Sequence, residues 1–406
     1  MKDFKQYFIF ILYTVILGSI SGLIIWCFIK VMNLGISFLW DYLPDKLDFK
    51  YYPIILCLIG GLVIGLWKHK FGDFPEDLND VMKKIKQDKR YSYSKIKSSI
   101  VSALLPLVIG ASIGPEAGLT GIIAGLYTWV FDKIKLFKKE FQDLTSIGLT
   151  ATLGTIFKSP LFGFVEPLEN EEQTYFPKNS KKVLYFIAIL SSFGIFILLN
   201  KITNNHTGLH SLGKASLSNI NYLYVIILII IGIILGYIYS ISHKVIKLLF
   251  KPLKNNILIK CIIGGLMLGI IGYLLPLTMF SGEEQIFIIT ERGISITCTM
   301  LIIISIVKIF LTNICIETGL KGGHFFPMIF AGISLGLGMS MILNIDPIIS
   351  MSLVTSSFLA NVLKKPLAVV LLLIIVFPIN LVPLMLGAAI ISSLFKMPKK
   401  IEDTVI

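Results

Sequence analysis

Residues Ile109–Leu126 read IGASIGPEAGLTGIIAGL, in which glycines, a proline and a single acid interrupt an apolar run. Pro115 and Glu116 suit the first turn of a helix, because that turn tolerates proline and favours a carboxylate. Gly114 and Gly118 allow the backbone to approach a ligand closely. Since the N–H groups at such a helix start favour an anion, we predict an anion site that Glu116 occupies when ionised and leaves when protonated or displaced.

A second glycine-rich turn, GLKGGHFFPMIFAGISLG at Gly319–Gly336, resembles the first. Gly322 and Gly323 precede an apolar, helix-like run, so the amides of His324 and Phe325 are predicted to point at an anion in the same way. The sequence therefore predicts that two helix N-termini converge on one site.

Each turn also has a simpler interpretation. Glu116 fits an ordinary first-turn glutamate in a solvated loop, although an ionisable group at membrane depth favours a functional role. The second turn fits a flexible hinge or a lipid-facing aromatic turn. For His324 itself, a role of the backbone alone is favoured over proton transfer.

The composition places most of the chain in lipid. Of its 406 residues, 55% are hydrophobic and 15% are charged, and the mean hydropathy is +0.83. Some apolar stretches reach the roughly 20 residues that a spanning helix needs, whereas others are shorter or interrupted by Gly and Pro. We therefore predict an all-α polytopic membrane protein in which several helices end inside the membrane. The first apolar stretch, Phe8–Phe28, is too long for a signal peptide and is predicted to be a retained helix.

Two pairs of similar stretches indicate an internal duplication. TLGTIFKSPLF (Thr152–Phe162) matches FLANVLKKPLA (Phe358–Ala368) at an offset of 206 residues, and TGIIAG (Thr120–Gly125) matches PMIFAG (Pro327–Gly332) at 207. Chance similarity between apolar, glycine-rich stretches is the alternative, but the near-constant offset favours duplication. Duplicated, interrupted halves are typical of transporters that bind their substrate at the repeat interface.

The whole chain, residues 1–406, is accordingly predicted to be one transmembrane domain with repeat halves at approximately 1–200 and 220–406. Its net charge of +13 lies mainly on lysines between apolar stretches, which is typical of a positive-inside topology signal. That distribution does not fit a nucleic-acid-binding domain, so membrane lipid is the predicted partner.

Catalytic chemistry has no evident basis in the sequence. We find neither a nucleophile with a base nor a cluster of residues at metal-ligand spacing, and the five cysteines lie singly in or beside apolar stretches. We therefore expect a protein that is not an enzyme and that needs neither a metal nor another cofactor.

Four motifs resemble those of the CLC family of chloride channels and chloride/proton exchangers. GPEAG at Gly114–Gly118 resembles the gating-glutamate motif of that family, and GGHFFP at Gly322–Pro327 resembles its second anion-binding motif. KSPLFGFVEPLE (Lys158–Glu169) and FGDFPEDLNDVMKKIK (Phe71–Lys86) resemble two further family elements, in the order the family requires.

The resemblance implies a CLC-type fold of two inverted-topology repeats with spanning and re-entrant helices. It also implies a homodimer in the cell membrane, with a separate anion path in each subunit, and it makes Glu116 the outer gate, which exchanges with anions and carries protons. The implied anion-binding positions are Gly72, Gly114, Pro115, Ala117, Gly118, Gly322, Gly323, His324, Phe325 and Pro327.

The chain departs from the family pattern in three places. Gly72 aligns with a chloride-coordinating serine, which leaves backbone contacts in place of a hydroxyl. The inner-gate tyrosine is missing, and the equivalent region offers Lys399 or Lys400. The internal glutamate of coupled exchangers falls on Asn170, so proton coupling requires Glu169, another nearby acid or water to replace it.

The sequence favours a chloride/proton antiporter gated by Glu116. A passive, voltage- or pH-gated chloride channel is the alternative, because Asn170 is unable to titrate. A fluoride/proton antiporter ranks lower, because GGHFFP follows the chloride-type pattern.

Overall fold

The computed structural model describes residues 2–76, 80–81, 83–84, 88, 90–133, 142–165, 178–203, 211–215, 221–291 and 296–395. The helices of the N-terminal part are α1 Lys2–Ser37, α2 Leu43–Leu47, α3 Tyr52–Phe71, α4 Ile96–Val108, α5 Glu116–Lys133, α6 Gln142–Ile156, α7 Pro160–Val165 and α8 Lys178–Ile202. Those of the C-terminal part are α9 Tyr222–Phe250, α10 Ile257–Leu274, α11 Glu283–Glu291, α12 Cys298–Glu317, α13 Phe325–Leu343, α14 Pro347–Leu363, α15 Pro366–Leu373 and α16 Val382–Leu394.

The helices are of uneven length, as predicted. In the described part of the chain, seven helical segments are long and apolar enough to cross a membrane: Phe8–Leu47, Tyr52–Phe71, Lys182–Ile202, Tyr222–Leu253, Ile257–Leu274, Cys298–Glu317 and Phe325–Leu343. Four apolar helices are shorter: Ile96–Val108, Ser146–Ile156, Pro347–Leu363 and Ile379–Leu394. The chain is therefore a multi-pass α-helical membrane protein, and its first apolar stretch is a helix.

The chain forms two compact units that each draw on separate segments. The first unit comprises Met1–Gly35, Phe74–Leu104 and Pro115–Gly208. The second comprises Ile36–Asp73, Leu105–Gly114 and Leu209–Ile406. The division into repeat halves at approximately 1–200 and 220–406 stays a prediction.

Small residues hold the first unit together. A Cβ atom added to Gly18 on α1 would lie 2.1 Å from Ser191 Oγ on α8, and one added to Gly22 would lie 2.2 Å from the Ser192 carbonyl oxygen. The Thr155 hydroxyl on α6 donates to Ser192 Oγ at 2.7 Å. Helices in lipid gain little from hydrophobic association, so close backbone approach and such hydrogen bonds supply the packing energy.

In the second unit, α3 and α10 cross at two similar glycine-rich stretches. These are IGGLVIG at 59–65 and IGGLMLG at 263–269, which lie 204 residues apart. A Cβ atom at Gly61 would lie 2.4 Å from the Cys261 carbonyl oxygen, and one at Gly265 would lie 2.3 Å from the Cys57 carbonyl oxygen. Each helix thus packs its glycines directly on the backbone of the other.

The stretches matched at an offset of 206 residues turn in the same way. Lys158 has φ of 51° and Lys364 has φ of 56°, a left-handed conformation that ends a helix. Two residues later, Pro160 begins α7 and Pro366 begins α15, where proline suits the first helical turn. The two matched sequences therefore specify the same helix–turn–helix conformation.

We predict that Gly265→Ala destabilises the protein, because the new Cβ meets the backbone of Cys57 and Gly61, which no side-chain rotation relieves. Overpacking of this kind costs about 1–3 kcal/mol. The measurement is the temperature at which detergent-solubilised protein loses its monodisperse elution peak. Gly387→Ala on α16 is the matched control, since nothing lies within 4 Å of its added Cβ. Equal melting temperatures for the two variants would contradict the role assigned to the α3–α10 crossing.

Candidate anion site

The two glycine-rich turns meet within the second unit, at Gly114 and Gly323. The Gly114 N–H donates to the Gly323 carbonyl at 2.8 Å, and the Gly323 N–H donates to the Gly114 carbonyl at 2.7 Å. A Cβ atom on the neighbouring Gly322 would lie 2.5 Å from Ile113 Cδ1 and 2.9 Å from the Gly114 carbonyl oxygen. Glycine is therefore required for this approach, and the two motifs singled out in the sequence are joined by backbone hydrogen bonds.

Each bridging glycine lies two residues before a helix. Beyond Gly114, α5 begins at Glu116, whose side chain is 0% exposed. The main-chain carbonyl of Glu116 accepts a hydrogen bond from the Thr120 hydroxyl at 2.6 Å, so this start of α5 is well formed. Gly118 brings α5 against α4, since an added Cβ would lie 2.5 Å from Ala103 Cβ. The acid predicted to be the gate is thus buried at the positive end of a helix dipole.

Beyond Gly323, α13 begins at Phe325. His324 is the N-cap residue, but its side chain makes no hydrogen bond to the amides of the first turn. Its ring stacks on the Phe325 ring, with centroids 5.2 Å apart and planes 13° apart. Phe325 and Pro327 are buried. The role of the His324 backbone in anion binding stays a prediction.

A charged cluster lies beside the second turn. Asp73 Oδ1 lies 2.8 Å from Lys68 Nζ, and Asp73 Oδ2 lies 2.8 Å from Lys321 Nζ. Lys321 immediately precedes Gly322, so the cluster ties the segment after α3 to the turn before α13. The side chain of Lys68 is 0% exposed, which makes its ion pair costly to break. Two ammonium groups and one carboxylate leave a net charge of +1 next to the predicted anion turn.

The lysines keep Asp73 ionised. Burial by itself would raise the pKa of this carboxyl group, but the charges of Lys68 and Lys321 and their hydrogen bonds outweigh burial and lower the pKa to about 2. Asp73 is therefore a fixed negative charge at physiological pH and not a proton carrier.

Comparison with known proteins identifies the family. The family model described as voltage gated chloride channel matches residues 60–396, which is most of the chain. The chain belongs to the voltage-gated chloride channel (CLC) family. The uncharacterized protein MJ0305 of Methanocaldococcus jannaschii is 23% identical over 312 residues, covering 74% of this chain and 73% of that relative.

Solved CLC structures share the fold. The crystal structure of a CLC-type fluoride/proton antiporter aligns with a TM-score of 0.78 at 19% identity, covering 95% of this chain and 94% of that one. A slow cyanobacterial Cl⁻/H⁺ antiporter aligns with a TM-score of 0.76 at 19% identity, with the same coverage. A eukaryotic CLC transporter aligns with a TM-score of 0.70 at 14% identity, covering 97% of this chain and 73% of the other.

At the position of Gly72, where the CLC pattern has a serine, the backbone conformation of this chain requires glycine. It is the C-cap of α3, where its N–H donates to the Lys68 carbonyl at 2.8 Å, and its φ is 105°. Only glycine adopts this conformation without strain. The structure thus explains the glycine, while its contact with an anion stays a prediction. Glu169, Asn170, Lys399 and Lys400 lie outside the described residues.

Lys308 on α12 lies near the glycine turns and was not predicted as a site residue from the sequence. Its ammonium group is fully buried and donates to the carbonyls of Thr278 at 3.0 Å, Met279 at 2.9 Å and Phe280 at 2.6 Å. The Phe280 N–H in turn donates to the Gly110 carbonyl at 2.9 Å. Lys308 thereby fixes residues 278–280, and this segment contacts the first glycine turn at Gly110. The sequence feature that could have indicated it is a single lysine within the apolar stretch of α12.

We predict that Asp73→Asn destabilises the protein by on the order of 1–3 kcal/mol, because buried Lys68 loses its charged partner. Since the pKa of Asp73 is lowered to about 2, its ion pairs are fully present above the ordinary pKa and are lost only as pH falls through about 2. The difference in melting temperature between wild type and variant is therefore expected to be the same at pH 5 and pH 8.

Asp48→Asn is the matched control for this comparison. Asp48 is exposed and lies in a left-handed conformation that asparagine also adopts, so this variant is expected to melt like wild type. An Asp73→Asn variant as stable as Asp48→Asn would contradict the structural role of the charged cluster.

Proposed function

We propose that this CLC protein is an antiporter that exchanges chloride, or a similar small anion, for protons, with Glu116 as the gate. The observation that carries the proposal is the position of Glu116, which is fully buried at the first residue of α5, two residues after the Gly114–Gly323 bridge. A carboxylate there competes with an anion for the same amides when ionised, and releases them when protonated. One residue thereby links anion movement to proton movement.

The anion-binding residues in this proposal are backbone groups at the two turns and at Gly72. The amides of Ala117, His324 and Phe325 lie at or near the helix starts, where the dipole favours negative charge. The net charge of +1 on the Lys68–Asp73–Lys321 cluster adds to that attraction.

The distribution of lysines gives the proposed orientation. Lys68 and Lys70 lie in the last turn of α3, Lys244 and Lys247 lie near the end of α9, and Lys251 follows that end directly. Helix α10 follows, and it packs antiparallel on α3, since Gly65 meets Leu258 while Gly269 meets Ile54. These basic ends therefore lie on one side of the second unit. By the positive-inside rule we assign that side to the cytoplasm.

The proposal includes a homodimer with one anion path in each subunit, as the resemblance to the CLC family implies. The first unit presents apolar side chains that suit either lipid or a second subunit, such as Phe186, Leu190 and Ile197 on α8. A passive channel is the second candidate function, and the observation that favours it is Asn170 at the position of the internal glutamate.

Flux measurements on purified protein in liposomes separate the two functions. An imposed chloride gradient is expected to drive uphill proton movement if the wild type is an antiporter. We predict that Glu116→Gln abolishes this proton movement while chloride still flows, because an amide carries no titratable proton. Chloride flux in the variant is also expected to lose its pH dependence.

Glu284→Gln is the matched control, since Glu284 is an exposed first-turn glutamate of another helix, α11. It is expected to leave coupling unchanged. Unaltered proton coupling and pH dependence in Glu116→Gln would remove Glu116 from the gate. Chloride flux without any proton movement in the wild type would favour the channel.

For selectivity, we predict that the wild type moves chloride at least tenfold faster than fluoride under equal gradients, because its second motif has the chloride-type pattern. Anion-selective electrodes outside the same liposomes measure both rates. The fluoride and chloride antiporter structures align almost equally well, so the fold does not discriminate between the substrates. Faster movement of fluoride than of chloride would make fluoride the substrate of this protein.

A further inference from the structure

The interface between α9 and α12 holds polar side chains that the proposed function does not use. Asn313 on α12 is fully buried, and its Nδ2 donates to the Tyr239 carbonyl at 3.3 Å and to Ser242 Oγ at 2.6 Å. A carbonyl oxygen only accepts hydrogen bonds, so the atom that faces it must be the amide nitrogen. These contacts fix the orientation of the Asn313 amide.

The fixed amide sets the tautomer of His243 on α9. Asn313 Oδ1 lies 3.3 Å from His243 Nδ1, and because this oxygen only accepts, Nδ1 must carry the proton. In neutral imidazole the other nitrogen, Nε2, then bears a lone pair. Nε2 lies 3.9 Å from Glu317 Oε1 on α12. Two acceptors thus face each other, and one added proton on Nε2 converts this arrangement into an ion pair.

The His243–Glu317 pair lies close to the second glycine turn. Tyr239 precedes His243 by one helical turn, and its ring centroid lies 6.2 Å from that of His324. His324 in turn stacks on Phe325, at the start of α13. A proton bound by the pair therefore adds positive charge near the amides predicted to hold the anion. Proton binding and anion binding then favour each other, and this coupling is reciprocal.

The pair also lies toward the end of α9 that is assigned above to the cytoplasmic side. His243 is followed on α9 by Lys244 and Lys247, and just after its end by Lys251, which mark that side. The side chains of His243 and Glu317 are each 17% exposed. Both side chains are therefore largely surrounded by protein.

The other titratable groups around His243 are few. From α12 Glu317 faces it, whereas Lys308 binds carbonyl groups elsewhere, and the turn before α13 contributes His324 beyond Tyr239. Helices α13, α14 and α16 also pack on α9, and their sequences contain no titratable residue. Lys244 on α9 itself and Lys251 just after its end are the nearest cations along the chain.

We propose that His243 and Glu317 form the inner proton-binding site of the antiporter, in place of the internal glutamate that Asn170 does not supply. This inference rests on the proposed antiport function. A proton from the cytoplasmic solution adds to the Nε2 lone pair of His243 when an anion occupies the second turn. The proton then leaves Nε2 for the opposite side of the membrane as the anion moves the other way, which restores the neutral imidazole of His243.

The test uses full-length protein in liposomes, with simultaneous recording of chloride and proton fluxes. His243→Gln and Glu317→Gln are each expected to lower the number of protons moved per chloride at least tenfold while chloride flux persists. A merely structural role would lower both fluxes together. Glu317→Asp keeps a carboxylate and is expected to retain proton movement. Variants on two different helices keep the test informative if one of them fails to fold.

His69→Gln is the control, because His69 is exposed at the same proposed inner end, on α3, and is expected to leave coupling unchanged. Normal coupling in both His243→Gln and Glu317→Gln, with Glu116→Gln uncoupled, would overturn this inference and leave the antiporter standing. A wild type that moves chloride but no protons would overturn the antiporter and the inner proton site together.

Discussion

Two hydrogen bonds between Gly114 and Gly323 hold the part of the molecule on which the proposed site depends. Within hydrocarbon, an unpaired backbone N–H or C=O group costs several kcal/mol, so a chain that leaves the helical conformation at membrane depth needs a partner. Here each interrupted segment is the partner of the other. Because both contacts are made by glycine backbone, they leave little room for side chains.

Buried lysines complete the same arrangement. An ammonium group inside a membrane protein is costly unless it is paired or hydrogen-bonded, and two solutions occur in the second unit. Lys308 binds three carbonyl groups of the segment that contacts Gly110, whereas Lys68 binds Asp73, which also binds Lys321. Both lysines therefore stabilise turns next to the glycine bridge.

The apolar pattern predicted the helices well, because lipid demands long apolar runs whatever the tertiary packing. Helix α3 spans Tyr52–Phe71, and α13 begins at Phe325, the residue that follows the predicted second turn. The glycine turns were equally visible, since glycine and proline mark interruptions locally. The polar contacts between helices were not visible in the sequence. Lys308 and Glu317 lie singly in apolar sequence and His243 stands beside Lys244, and their partners are 28 to 74 residues away in the chain.

The sequence by itself determined that this is a multi-pass helical membrane protein of the CLC family, with glycine-rich interruptions and an acid at one of them. The helical membrane character follows from composition, and the family resemblance rests on motifs whose residues are close in the chain. Only the tertiary structure decided that Gly114 and Gly323 bind each other, that Gly72 caps α3, and that His243 faces Glu317. Such pairings depend on how helices cross, and crossing is set by small residues such as Gly61 and Gly265 whose partners the chain order does not reveal.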